Sequence, residues 1–292
     1  MKNTLTVVFA ALAVLASSDA SGAQAQSTAS PYTSATRYDA VGRVVGTIAP
    51  DPDGAGPLKH LATRTTYDTR GNVTKVETGE LANWQNESVL PVNWPGFTVH
   101  TITETTFDTL SRKLTDKVSG KSGPTVTPIS LTQYSYDNLG RLECTAVRMN
   151  PAAWSSLPAD ACTLGTEGSD GPDRITRPTY DAAGQVLKDE RADATPVQIT
   201  DVMYSYTLNG QIENVVDANG NRAKYRYDGH DRMERWFFPN KTRPTNFILN
   251  APDLNTAGAS TPTWTDFEAY TYDNNGNRLT LRKRAGSTLS YQ

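Results

Sequence analysis

The chain is short of the residues that build catalytic and metal sites. Among 292 residues it has three histidines, His60, His100 and His230, and two cysteines, Cys144 and Cys162. The histidines lie in unrelated stretches of sequence. Structural zinc needs four ligands, so the two thiols do not outline a zinc site. There is no Gly-x-Ser-x-Gly elbow, no His-Glu-x-x-His pair and no Gly-rich phosphate loop ahead of a helix. Asp217-Ala218-Asn219-Gly220-Asn221 and Asp273-Asn274-Asn275-Gly276-Asn277 have the composition of calcium loops. Neither has the bidentate Glu that an EF-hand places six residues after its glycine, so both read as hairpin turns. These absences assign no catalytic, cofactor-binding or metal-binding residue, and the expectation is a protein that is not an enzyme and needs no cofactor.

Charge of one sign is lacking too. Lys and Arg total 28 against 31 Asp and Glu, which gives no long-range attraction to nucleic acid. The run Arg282-Lys283-Arg284 is too brief to change that. No segment after the N-terminus reaches the roughly 20 apolar residues of a helical membrane span. The hydrophobic fraction is only 37%, and Thr, Asn, Asp and Gly fill the deficit. That mixture favours turns and half-exposed strands over disorder, which draws on Pro, Glu, Ser and Lys.

What is present begins with an export signal. Lys2 precedes an apolar stretch from Leu5 to Ala16, and Ala23-Gln24-Ala25 offers a small-x-small cleavage site before Gln26. Residues 1–25 are therefore expected to be a signal peptide, with a retained anchor as the alternative, and residues 26–36 a linker. The mature protein is expected to be secreted, periplasmic or on the cell surface. In an oxidising compartment Cys144 and Cys162 read as one disulfide, with two buried thiols as the alternative.

The rest is organised by a repeat. Its pattern is an aromatic residue, Asp, two variable residues, Gly, then Arg, Asn or Gln. Copies begin at Tyr38-Asp39 (Gly42), Tyr67-Asp68 (Gly71), Tyr136-Asp137 (Gly140), Tyr180-Asp181 (Gly184) and Tyr272-Asp273 (Gly276). Degraded copies begin at Phe107-Asp108, Tyr206-Thr207 and Tyr227-Asp228. The uninterrupted unit runs 21 residues from Tyr206 to Tyr227. Asp or Asn ahead of Gly supports a tight reversal, because glycine takes positive φ without a steric cost. The stretches between turns alternate partly, so each unit reads as two strands and two reversals. Paired tyrosines such as Tyr204/Tyr206 and Tyr225/Tyr227 share a face and predict an aromatic ladder. Spacings of 40, 44 and 45 are near twice 21, leaving room for a further unit in each. The insertions carry Trp84, Trp94, Trp154 and Trp264, which are the candidate ligand contacts on exposed loops.

These residues resemble the Rhs / YD-repeat family of bacterial Rhs toxins, toxin-complex shells and teneurins. The resemblance rests on Tyr136-Asp137-Asn138-Leu139-Gly140-Arg141-Leu142, Tyr180-Asp181-Ala182-Ala183-Gly184-Gln185-Val186 and Tyr272-Asp273-Asn274-Asn275-Gly276-Asn277-Arg278-Leu279. It covers the chain from about Arg37 to the end, so residues 37–292 are taken as one YD-repeat β domain. The resemblance implies an all-β fold of antiparallel hairpin repeats in a spiralling sheet, part of a hollow shell. In complete family members that shell encloses a C-terminal effector. A toxin-releasing junction is not matched here, since Asp51-Pro52-Asp53-Gly54-Ala55 lies at the wrong end. Adding 21 to Tyr272 places the next copy just past Gln292, so the domain is expected to be incomplete at its C-terminus. The expected partners are further YD repeats and an effector domain of a longer protein, with cell-surface glycans as the alternative and no nucleic acid.

Overall fold

A computed structural model of the protein describes residues 32–54, 56–240, 244–260, 266–285 and 288–291. The signal segment and Trp264 lie outside the described residues. The fold is all-β, as the repeat predicts. In chain order its strands are β1 (Ala35–Tyr38), β2 (Val44–Ile48), β3 (His60–Tyr67), β4 (Val73–Leu81), β5 (Phe97–Phe107) and β6 (Lys113–Ser122). They continue as β7 (Thr125–Tyr136), β8 (Leu142–Val147), β9 (Arg174–Tyr180), β10 (Val186–Arg191), β11 (Ile199–Tyr206) and β12 (Ile212–Asp217). The last are β13 (Arg222–Tyr227), β14 (Met233–Phe237), β15 (Phe267–Tyr272), β16 (Arg278–Ala285) and β17 (Thr288–Tyr291). Two single-turn 3-10 helices, Pro91–Asn93 and Pro151–Ala153, sit in the long loops.

The chain divides into two compact units. The first holds the described residues up to Arg64 together with Thr78–Thr98, and the second holds Thr65–Glu77 and the described residues from Val99 onward.

In the first unit β1 pairs with β2, and β2 with β3, all antiparallel. Its core is Ile48, Ala62, Leu81 and Trp94, with Ala35, Trp84, Val89 and Phe97 packed around them. Trp84, Val89 and Trp94 come from the loop of residues 82–96, which folds back over the strands. Gly46 makes this possible: a Cβ there would lie 2.6 Å from the Pro91 side chain and 2.7 Å from that of Trp94. Burying side chains of this size contributes roughly 1.5–3 kcal/mol each.

In the second unit every strand from β5 to β17 pairs antiparallel with the next one. Reversals in such a meander fall alternately at the two ends of the strands. The Tyr-Asp turns occupy one end, and the variable connections, including residues 148–173 and 244–260, occupy the other. The spacings of 44 and 45 therefore contain no further unit among the described residues. Each holds two strands and one long loop, and the same is true of the interval from Tyr67 to Phe107.

The loops cover the sheet. Residues 148–173 place Ala161 against Cys144, Ala146 and Ile175. Residues 244–260 place Ala251, Leu254 and Ala257 against Met203 and Val216. One sheet face cannot be dry without a second layer, and the sequence follows this rule locally. Three and five residues after the last motif residue stand Cys144/Ala146 and Asn214/Val216 under loops. The same positions are Thr115/Lys117 and Lys188/Glu190 where the next connection is short.

Seven of the repeat hairpins also carry a β-bulge. The residue two places after the last motif residue is skipped by the register: Val45 in the first unit, and Leu114, Glu143, Leu187, Glu213, Glu234 and Leu279 in the second. An extra residue on one strand bends it and increases the local twist.

Candidate functional site

The feature that recurs with constant geometry is the Tyr-Asp turn. In the copy at Asp137, its N–H donates to the Arg141 carbonyl at 2.9 Å and the Gly140 N–H donates to the Asp137 carbonyl at 2.9 Å. The Asp137 carboxylate then accepts the N–H groups of Leu139 and Arg141, both at 2.9 Å, and the Arg141 Nε at 2.7 Å. The same pattern surrounds Asp39, Asp108 and Asp228 with arginine, and Asp68 and Asp273 with asparagine. In these copies one carboxylate accepts three donors, whereas Asp181 accepts two backbone N–H groups and the Thr207 hydroxyl accepts that of Gln211. Where the last motif residue is Arg or Asn its side chain supplies the third donor; Gln185 and Gln211 contribute their backbone N–H. Asp217 and Asn221 make this turn a further time, at the opposite end of the strands.

Glycine closes the turn with φ of +80° at Gly140, +85° at Gly184 and +85° at Gly276. Where the copy is degraded, Ser111 and Asp231 still take φ of +61° and +58°, so the conformation outlasts the residue that favours it. The donors hold these carboxyls below the usual aspartate range. The leading cause is the Arg43 N–H at Asp39, and the amides of Asn72 and Asn277 at Asp68 and Asp273. At Asp108, Asp137 and Asp228 partial burial pushes the other way and is outweighed by the arginine and backbone donors.

Consecutive turns are tied together. Arg112, Arg141 and Arg232 lie over the rings of Tyr136, Tyr180 and Tyr272, the next motif tyrosines, at 4.6, 4.5 and 4.7 Å. Arg141 and Arg232 also donate to the carbonyls of Asp181 and Asp273. The phenols complete the link: Tyr136, Tyr180, Tyr206, Tyr227 and Tyr272 donate to the carbonyls of Lys113, Leu142, Val186, Ile212 and Met233 in the preceding hairpin. The aromatic residue, the Asp and the Arg of the motif are thus spent on one another. Arg141→Lys is expected to lower stability by about 1 kcal/mol, because an ammonium cannot hold the carboxylate, the carbonyl and the ring face together. A denaturant melt with an unchanged midpoint would contradict this.

No protein-family model matches the chain, and no curated protein matches it. Solved structures do. A TcdB2-TccC3-TEV crystal structure aligns over 86% of this chain and 11% of its own, at 14% identity and a TM-score of 0.45. A TcdB2-TccC3-Cdc42 crystal structure aligns over 88% and 14%, at 16% identity and a TM-score of 0.38. The Tc holotoxin pore of Photorhabdus luminescens aligns over 87% and 15%, at 14% identity and a TM-score of 0.31. The chain therefore spans less than a sixth of the length of each of these structures.

Trp84, Trp94 and Trp154 have a different place from the exposed one their loops suggested. Trp94 is 5% exposed and belongs to the first unit's core. Its Nε1 donates to the Val89 carbonyl, and its ring meets Phe97 edge-on. Trp84 packs against the same core and meets His60 edge-on. Trp154 is half-buried and donates to the Arg148 carbonyl at 3.1 Å. The 82–96 loop folds inward because the sheet face needs cover, so its aromatic rings serve as core. At the tips of the repeat hairpins in the second unit Leu110, Leu139 and Leu208 face solvent. Repeat position could have marked them, since all three fall between the motif Asp or Thr and the Gly or Ser that closes the turn.

Cys144 and Cys162 form a disulfide that pins the 148–173 loop to β8. Beside it Arg148 is buried. Its guanidinium donates to Gln133, to Asp173 at 2.6 Å, and to the carbonyls of Asp160 and Thr163. A shallow recess lined by Arg148, Asn150, Trp154 and Asp173 opens here, but its charges are already satisfied by each other. Glu143, Asp160 and Cys162 approach one another nearby. The Cys162 sulfur is bonded to Cys144, so that trio offers no thiolate to a metal.

On β10 and the facing β11, Asp189 is held above the usual carboxylate range. Burial is the main cause and the Asp201 charge adds to it, while Arg191 opposes. A raised folded-state value means the contribution to stability is complete below the unfolded value of about 3.9 and is lost as pH rises through the folded one. Asp189→Asn is expected to melt higher than wild type at neutral pH, with the difference closing on acidification. Parallel melting curves at all pH values would contradict it.

Proposed function

We propose that this chain is an exported, non-catalytic scaffold whose Tyr-Asp hairpins form part of a wall that encloses or presents an effector polypeptide. The carrying observation is the turn itself. Motif side chains are consumed in holding one hairpin to the next, which is what a wall needs and what a binding or catalytic site does not. The motif resemblance supports the same reading, since the family's complete members surround a C-terminal effector. The exposed Leu110, Leu139 and Leu208 are the contacts along the rim that remain open to neighbouring repeats or partners.

The test is expression of the natural gene together with its downstream coding region. The downstream polypeptide is expected to co-purify with the YD-repeat chain and to resist protease that digests it rapidly when it is made alone. Equal digestion in both settings would overturn the enclosure.

A further inference from the structure

We propose that Lys188 and Gln198 become joined by an intramolecular isopeptide bond, with Glu190 carrying the protons. The three side chains meet on one face of the β10–β11 pair. Lys188 Nζ lies 2.9 Å from Glu190 Oε1, and Gln198 Nε2 lies 3.1 Å from the same oxygen. One carboxylate oxygen therefore touches both the amine that would attack and the amide nitrogen that would leave.

The surroundings suit the reaction. Glu190 and Lys188 side chains are 9% and 15% exposed, and next to them Thr200 is buried. Asn250, from the covering loop, accepts the Thr200 N–H and donates to the backbone carbonyl of Gln198, both at 3.0 Å. Fixing amine and amide around one proton carrier replaces a bimolecular encounter with an intramolecular one. The connection between the two residues is also held in a costly form, with Ala192 and Ala194 at φ of +52° and +62°. The Lys113–Asp116 ion pair is built differently. The carboxylate of Asp116, beside Lys113, is met instead by the hydroxyls of Thr105 and Tyr134.

The atoms balance without a co-reactant. Nζ of Lys188 forms a bond to Cδ of Gln198, and the bond from Cδ to Nε2 breaks. The lysine ammonium gives up two protons, which pass through the Glu190 carboxylate to the departing Nε2. Ammonium leaves, and Glu190 ends as it began.

The full chain, exported from its host, is digested with trypsin and examined by tandem mass spectrometry. Trypsin cuts at Arg191, between the partners, so the product is a branched pair of peptides lighter than their sum by one ammonia. This species is expected in wild type and absent from both Lys188→Arg, which keeps the ion pair, and Glu190→Gln. Cyclisation of an N-terminal Gln26 sheds the same mass, which is why the branched peptide is the readout. Free Lys188 and intact Gln198 peptides in correctly folded wild type would overturn the proposal. So would a branched species that persists in Lys188→Arg.

Discussion

Replacing Asp173 with alanine is expected to destabilise the second unit by about 3–5 kcal/mol, the usual cost of stranding one member of a buried ion pair. Arg148 and Asp173 side chains are 2% and 5% exposed and meet at 2.6 Å. Asp173 also accepts the N–H groups of Met149 and Gly165, so its loss would leave a guanidinium charge and two backbone donors without their acceptor. Asparagine keeps part of the hydrogen bonding without the charge, so Asp173→Asn is expected to fall between wild type and alanine. The acid side of the stability curve carries the same signature. Burial alone would raise the Asp173 carboxyl, but the Met149 N–H, Arg148 and the Gly165 N–H together hold it below the ordinary value. A depressed folded-state value means the stabilisation is complete above the unfolded value of about 3.9 and disappears as pH falls through the folded one. Urea melts of wild type and Asp173→Ala should therefore differ most near neutrality and converge under strong acid. A variant that melts within about 1 kcal/mol of wild type would show that this pair is not what fixes the loop.

How far the sequence reveals this architecture depends on the range of the interactions. The Tyr-Asp turn is legible because all its bonds close within six residues: Asp137 finds its donors at Leu139 and Arg141. The strands follow from the turns. The link from Arg141 to Tyr180 is not legible, because the partner lies in the next copy at a distance set by an insertion. Nor is the bulge at Glu143, since it is a property of pairing between two strands. Trp94 shows the largest gap between expectation and structure. On the sequence it stands in a polar, Pro-containing insertion, yet the loop's inward fold makes it core. One signal did exist in the inner-face positions, which read Cys144 and Ala146 ahead of the long 148–173 loop but Lys188 and Glu190 ahead of a short connection. It requires knowing first which strand positions face the same side, and the bulge shifts that count by one in hairpins such as β7–β8 and β9–β10.

Removing the disulfide, with alanine at both Cys144 and Cys162, is expected to cost about 3 kcal/mol, from closure of a loop with a sequence separation of 18. The loop it closes is the one that buries Ala161 against Ala146 and Ile175, so the bond constrains the unfolded chain and fixes the cover in the same place. Cys144 is fully buried, and alanine avoids placing a hydroxyl there without a partner. Reduction of the wild type should reproduce the effect, and reduction of the double variant should do nothing further. The Arg148 network holds the same loop from its other side, through the carbonyls of Asp160 and Thr163. If the two anchors act together, combining the cysteine changes with Asp173→Ala should cost less than the sum of the separate losses, because a loop released by one anchor no longer strains the other. Strict additivity in denaturant melts would mean that the disulfide and the ion pair stabilise different parts of the loop. Protease sensitivity confined to residues 149–173 of the combined variant, with β5 to β8 still protected, would show that the sheet persists when its cover is lost.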